Sequence, residues 1–480
     1  MTDVVKPLCL FETEKNLFDG VSNIEDDLFL KYKDVIQEDP SLSRRIVSFQ
    51  ANKNEPGYRW YKFKEAFSSQ LVNSLLERFN IQKGNILDPF AGSGTTLFAA
   101  SDHGINADGI ELLPLAQEII STRVDLLSTL EKFESDEIMS WLKLKEWEGQ
   151  IPADPLPFIR ITNNAYPDET KRQIENYLTL IKNFNRTQQQ LLSFALLCIL
   201  ERISYTRKDG QYLRWDYRAK RTTGSKKKFD KGEIPSFTTA IQNKVDEIVN
   251  DLRTIDEVNL TKERGQIRLF KGSNLEKLSE FQENSYDAII TSPPYCNRYD
   301  YTRTYALELA LLGLNDQAVI NLRQEMLSST VENRRKALLA MNSRWKNAIL
   351  AFENQELIQD IIKQLEALKA SGQINNSGIP RMVRGYFEEM SCIIYECYRV
   401  LKPNAVMIVV NDNVRYEGIS IPVDLILSNI AEQLGFSVEN ILVLQDRKGN
   451  SSQQMGKLGK DSLRKCVYIW RKLNHEKSLS

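Results

Sequence analysis

The sequence predicts an α/β protein built on a doubly wound sheet and carrying two large, mainly helical insertions. Three observations support that expectation. Asn85-Ile-Leu-Asp88, a glycine turn, the apolar stretch Thr95 to His103 and Ala107-Asp-Gly-Ile-Glu111 run as strand, turn, helix and strand, the order that opens such a sheet. Strand-like runs return at Ile267-Arg-Leu-Phe270, Tyr286-Asp-Ala-Ile-Ile290, Ala405-Val-Met-Ile-Val-Val410, Ser437 to Leu444 and Lys465-Cys-Val-Tyr-Ile-Trp470. Between these islands, residues 116–261 and 313–375 follow helical periodicity.

Taken in order, residues 1–56 read as an N-terminal extension with a short amphipathic stretch around Leu28 to Ile36. Residues 57–119 form the first part of the core. There Ser68 or Ser69 caps a helix whose apolar face is Leu71, Val72, Leu75 and Leu76. Residues 120–261 are the first insertion, and 262–312 return to the sheet. Residues 313–379 are the second insertion, with a long helix over Leu357 to Lys369. Residues 380–480 complete the core, beginning with a helix from Tyr386 to Leu401. A polar loop containing Gly449-Asn-Ser-Ser-Gln-Gln454 joins the last two strands.

Composition excludes several classes. No apolar run approaches the about 20 residues that span a bilayer, and the N-terminus lacks a signal pattern, so a cytoplasmic protein is expected. The six cysteines show no CxxC spacing, which argues for reduced thiols and against structural zinc. With only His103 and His475, a histidine-based hydrolase or multi-histidine metal site is not expected, and no metal is. The net charge of −1 means that any nucleic-acid contact rests on a local patch. Residues 201–231 supply one: eleven Lys/Arg against four acids, interleaved with Tyr205, Tyr212, Trp215 and Tyr217. Arg207, Arg214, Trp215, Arg218 and Arg221 are the candidate contacts; a solvated charged face is the plain alternative.

Two short strings carry the chemistry. In Asp88-Pro-Phe-Ala-Gly-Ser-Gly-Thr-Thr96, Gly92 and Gly94 permit positive φ and close approach of a ligand to the backbone, and the next helix offers free N–H groups at its start. Glu111 ends the following strand at a spacing suited to ribose hydroxyls. No Gly-Lys-Ser/Thr follows, which excludes a Walker-type ATPase. The second string is Thr291-Ser-Pro-Pro-Tyr295. Its prolines stiffen the backbone so that the Ser292 hydroxyl and Pro293 carbonyl can accept from one amino group, and Tyr295 offers a flat face for an extruded base. A proline turn that merely ends a buried strand is the alternative.

Together these motifs resemble those of S-adenosylmethionine-dependent DNA amino-methyltransferases, the site-specific modification methylases acting on cytosine N4 or adenine N6. The resemblance covers roughly residues 50–120 and 262–475, through Asn297 to Glu308, Arg381 to Glu388, Asn411-Asp-Asn413 and Gly449 to Met455. It implies a Rossmann-like class I methyltransferase sheet with S-adenosyl-L-methionine as cofactor. Asp88, Phe90, Gly92 and Gly94 would line the methionine end, and Glu111 would meet the ribose. The segment at Phe67 and Ser68 resembles an additional cofactor-contact motif. Ser273 and Asn274, in Gly272-Ser-Asn274, stand where many relatives carry an acidic residue and would meet the adenine amino group.

Ser292, Pro293, Pro294 and Tyr295 would form the catalytic loop. Serine at its head is commoner among cytosine-N4 enzymes, so N4 is favoured over N6. The motif order, cofactor turn before catalytic loop, departs from the permuted order common among N4 enzymes. No Pro-Cys is present, which argues against carbon-5 methylation, and Cys296 reads as a packing residue. Expected partners are double-stranded DNA and a companion restriction endonuclease, without a membrane. An RNA amino-methyltransferase and a catalytically silent DNA-binding subunit are the competing readings.

Overall fold

A computed structural model describes residues 19–129, 135–209, 212–220, 229–259, 263–444 and 463–474. Arg221, Lys226 to Lys228, the Gly449 to Met455 segment and His475 lie outside the described residues. The strands are β1 (Ile36–Glu38), β2 (Asn85–Asp88), β3 (Asn106–Glu111), β4 (Thr206–Lys208), β5 (Leu213–Trp215), β6 (Ile267–Lys271), β7 (Tyr286–Thr291), β8 (Leu401–Asp412), β9 (Val414–Tyr416), β10 (Ile419–Ile421), β11 (Phe436–Val443) and β12 (Lys465–Lys472).

Eight of them form one sheet in the order β6-β3-β2-β7-β8-β12-β11-β1. Every adjacent pair is parallel except the two that involve β12. The chain lays β2, β3 and β6 to one side and β7 and β8 to the other. Their reversal between β2 and β7 opens a crevice at the carboxyl ends of these strands, where α/β sheets bind ligands. Asp88 and Thr291, the last residues of β2 and β7, therefore face each other across it.

All seven strands read from the sequence are present. The eighth strand of the sheet, β1, was not read from the sequence; it pairs in parallel with β11 through Ile36, Gln37 and Glu38. Its burial pattern, one buried residue and two exposed, explains why alternation did not reveal it. The helix expected from Tyr386 begins earlier, at Ile379, because Pro380 is tolerated in a first turn. It ends at Val400, directly before β8.

Among the described residues, three apolar clusters form the core. On one face of the sheet, the helix Ile379–Val400 packs with the helices Val423–Gln433 and Glu356–Ala370, so the second insertion shares the main core. On the other face lie the helices Ser69–Arg78 and Thr95–Asp102. The first insertion forms a third cluster from the helices Pro114–Ser128, Ser135–Leu144, Asp168–Leu180, Arg186–Ile203 and Phe237–Asn259, which also takes in Trp60 and Tyr305. Among the described residues no helix is long and apolar enough to cross a membrane.

Candidate active site

The crevice at the β2/β7 reversal is a cavity of about 380 Å³, within the ~300–1,000 Å³ range of small-molecule sites. Phe67, Asp88, Phe90, Gly92, Glu111, Ser273 and Asn274 line one part of it; Ser292, Pro293, Pro294 and Tyr295 line another. Chain segments more than two hundred residues apart thus meet in one chamber.

On the first wall, Asp88 is buried, and its Oδ1 accepts from the Phe90 N–H at 3.0 Å and the Thr291 hydroxyl at 2.6 Å. Burial pushes its carboxyl up to about 6, against the pull of those hydrogen bonds. Glu111 reaches back over the glycine turn: Oε2 accepts from the Gly92 N–H and Oε1 from the Leu113 N–H, both at 2.7 Å. Burial pushes its carboxyl up to about 7. Gly92 has φ +53°, and an added Cβ would come no nearer than 3.5 Å to Phe63, so its surroundings leave room.

Gly94 does not line the cavity. It is the N-cap of the helix Thr95–Asp102 at φ +79°, and a Cβ there would lie 2.9 Å from Ile120 and 3.0 Å from Phe98. Its role is to let the helix start against the core. Phe67 is buried, and the adjacent Ser68 caps the helix Ser69–Arg78 by accepting from the Leu71 N–H at 3.2 Å. Ser273 and Asn274 are nearly buried, and Asn274 Nδ2 approaches the Pro89 carbonyl at 3.4 Å.

On the second wall, Ser292 Oγ donates to the Val410 carbonyl at 3.0 Å and lies 3.3 Å from the Tyr295 hydroxyl. Lys465, at the start of β12, sits 5.4 Å from the centroid of the Tyr295 ring and 3.5 Å from Asp412 Oδ1. Burial alone would lower the Lys465 ammonium, but Asp412 outweighs it and holds it charged. Burial raises the Tyr295 phenol, which stays neutral. Cys296, next in the chain, is fully buried with its thiol pushed up by desolvation, the opposite of an activated nucleophile.

Sequence reading missed a polar cluster behind the cavity. Tyr305 donates to Glu65 Oε2 at 2.6 Å, and its ring stacks on Phe63 at 5.1 Å. Glu65, a cavity residue, is raised by burial. Tyr61 donates to Glu308 Oε1 at 2.9 Å, and Lys208 joins both. Tyr299 and Tyr305 fall in the Asn297 to Glu308 segment, whose density of tyrosines and charge was the available signal.

The basic segment is divided by the fold. Arg207 and Arg214 are cross-strand partners on the β4–β5 hairpin, and Trp215 is half-buried beside them. Lys208 is buried. Arg218 grips Asp216 with two hydrogen bonds of 2.7 and 2.9 Å and reaches the Gly232 carbonyl at 2.7 Å. Those bonds hold the Asp216 carboxyl down to about 2. The Arg218 guanidinium thus staples its own loop, although sequence reading grouped it with the DNA contacts.

These walls fit the S-adenosylmethionine implied by the motifs: the buried carboxyl of Asp88, the half-buried one of Glu111 and a glycine turn with open space meet a stiff, aromatic-tipped loop in one chamber of suitable size. A family model described as DNA methylase matches residues 30–121. The chain is 52% identical over 474 residues to the Type II methyltransferase M.AvaI of Nostoc sp. and of Anabaena variabilis, covering 97% of both chains in each case. It is 41% identical to the Type II methyltransferase M.BsoBI of Geobacillus stearothermophilus, covering 92% of this chain and 91% of that one. The chain therefore belongs to the S-adenosylmethionine-dependent DNA amino-methyltransferases of restriction–modification systems.

Proposed function

We propose that this enzyme methylates N4 of a cytosine extruded from double-stranded DNA, protecting a short site from a companion endonuclease. The observation that carries the choice of base is Ser292 at the head of the catalytic loop. Its proton is directed to the Val410 carbonyl, so toward the cavity its oxygen is an acceptor. Serine in that position is the form commoner among cytosine-N4 members of the family.

Bound S-adenosylmethionine supplies an electrophilic methyl group on a sulfonium. Asp88, Phe90, Gly92, Glu111, Phe67, Ser273 and Asn274 hold that cofactor along the β2 side of the cavity. Ser292 Oγ and the Pro293 carbonyl accept the two amino N–H groups, turning the nitrogen lone pair toward the methyl carbon. As the N–C bond forms, the methyl–sulfur bond breaks to leave a neutral thioether. These acceptors would bind the amino protons of the increasingly positive nitrogen more strongly than in the ground state, lowering the barrier, and one of those protons would then pass to solvent. Tyr295 stacks on the base, and Pro293 and Pro294 keep the loop from relaxing away.

The test incubates the purified protein with methyl-labelled S-adenosylmethionine and either unmethylated plasmid DNA or RNA, followed by nucleoside analysis. Label in N4-methylcytosine supports the reading. Label in N6-methyladenine keeps the mechanism and overturns the base. Label in RNA alone overturns the substrate.

A further inference from the structure

Strand alternation gives the β4–β5 hairpin two unlike faces. Lys208 points inward, 5% exposed, and its Nζ donates to the Tyr61 hydroxyl at 2.9 Å and to Glu308 Oε1 at 2.5 Å. The Lys64 ammonium hydrogen-bonds the Lys208 carbonyl, and Lys64 itself lines the cavity. The neighbouring Arg207 is exposed and pairs across the ladder with Arg214. Both guanidinium groups lie over the ring of Phe229, at 4.6 and 4.4 Å from its centroid. Asp209, two residues from Arg207, lines the methyl-transfer cavity.

We propose that Arg207 and Arg214, held on Phe229, grip backbone phosphates of the duplex beside the extruded nucleotide, and that Lys208 keys this grip to the cavity. The inference rests on the enzyme acting on DNA, but not on which base it methylates. A guanidinium resting on an aromatic ring loses little freedom on binding a phosphate and can still turn N–H donors outward. The 3.6 Å approach of Arg214 to Asp209 is exposed and weakly held, so a phosphate can displace it. Arg218, by contrast, is tied to Asp216, and Lys208 is enclosed, so neither belongs to the grip.

Lys208 acts as a positioning residue. Glu308, 1% exposed, sits in the helix Ala306–Leu311 directly after Tyr305, whose hydroxyl donates to the cavity residue Glu65. An ion pair from the hairpin to Glu308 therefore sets the height of the arginine face relative to the chamber.

The experiment compares the wild type, Arg207→Gln/Arg214→Gln and Lys208→Met/Glu308→Gln. For each, the affinity for an unmethylated plasmid fragment is measured across salt concentrations, together with single-turnover methyl transfer and S-adenosylmethionine affinity. The arginine pair variant is expected to lose at least tenfold in DNA affinity. Its log–log salt slope should flatten by about 2, one step per lost phosphate contact, with cofactor affinity within twofold. The Lys208 variant should keep the salt slope but transfer methyl at least tenfold more slowly at saturating DNA. If that variant folds poorly, Lys208→Arg replaces it, since a planar fork cannot reproduce the Tyr61–Glu308 geometry; a slower rate at an unchanged slope is again expected. An unchanged slope and affinity in the arginine variant overturns the grip, and a wild-type rate in a folded Lys208 variant overturns the keying. Failure of the wild type to label DNA at all would instead sink the reading beneath the proposal.

Discussion

The Thr291 hydroxyl donates to Asp88 Oδ1 at 2.6 Å, joining the carboxyl ends of β7 and β2 across the point where the sheet order reverses. This one hydrogen bond links the start of the proposed catalytic loop to the start of the glycine turn, 203 residues apart in sequence. It also offsets part of the burial that raises the Asp88 carboxyl. Thr291→Val keeps the shape and removes the donor. A hydrogen bond to a charged group contributes about 1.5–3 kcal/mol, so cofactor affinity should fall roughly tenfold or more. Calorimetric titration with S-adenosylmethionine checks this, and unchanged affinity would show that the bond does not set the wall.

Ser292→Ala removes one of the two proposed acceptors for the target amino group. The expected loss is about 10–100-fold in single-turnover rate, the equivalent of roughly 1–3 kcal/mol. Cofactor binding should persist, because in the proposed reading Ser292 meets the base and the glycine turn meets the cofactor. A wild-type rate would remove Ser292 from the chemistry.

Tyr295→Ala separates base positioning from cofactor binding in the same way. Stacking of a base on an aromatic ring contributes about 1–3 kcal/mol, so methyl transfer should drop by one to two orders of magnitude. Equilibrium dialysis should find S-adenosylmethionine affinity within twofold of the parent.

Glu111 gives cofactor binding a pH dependence. Its carboxyl lies at about 7, above the usual carboxylate range because of burial. As pH falls through that value, Glu111 takes up a proton and, in its proposed role, loses capacity to accept from ribose hydroxyls. Affinity for S-adenosylmethionine should therefore weaken from pH 8 to pH 6, and Glu111→Gln should flatten the profile and weaken binding at pH 8. Affinity that strengthens on acidification would contradict the assignment.

The two glycines of the turn should fail differently. Gly92→Leu fills the cavity side of the turn and should block cofactor binding in a folded protein. Gly94→Ala places a methyl 2.9 Å from Ile120 at φ +79°. It should cost about 2–4 kcal/mol of stability from left-handed strain and overpacking, read by denaturant unfolding. Loss of binding without loss of stability at Gly94 would return that residue to the cavity wall.

The fold was legible wherever a continuous apolar strand was bounded by turn residues, as in Tyr286 to Thr291 before Pro293. The candidate site could be proposed from the sequence because many of its groups are concentrated in two short strings at the ends of β2 and β7, which the fold brings to one cavity. What stayed hidden depends on distance. Nothing local marks Lys208 as different from Arg207, yet one pairs with Glu308 100 residues away in a buried pocket and the other meets solvent. Likewise Gly94 and Gly92 look equivalent in a glycine turn, and only the position of Ile120 and Phe98 gives them separate roles. β1 was missed because an edge strand with one buried side chain carries almost no pattern.

The most direct test of the central claim is nucleoside mass spectrometry of plasmid DNA recovered from cells expressing the wild-type chain or Ser292→Ala. N4-methylcytosine should accumulate with the wild type and fall sharply with the variant. N6-methyladenine in its place, or N4-methylcytosine at equal levels in both, would contradict the account.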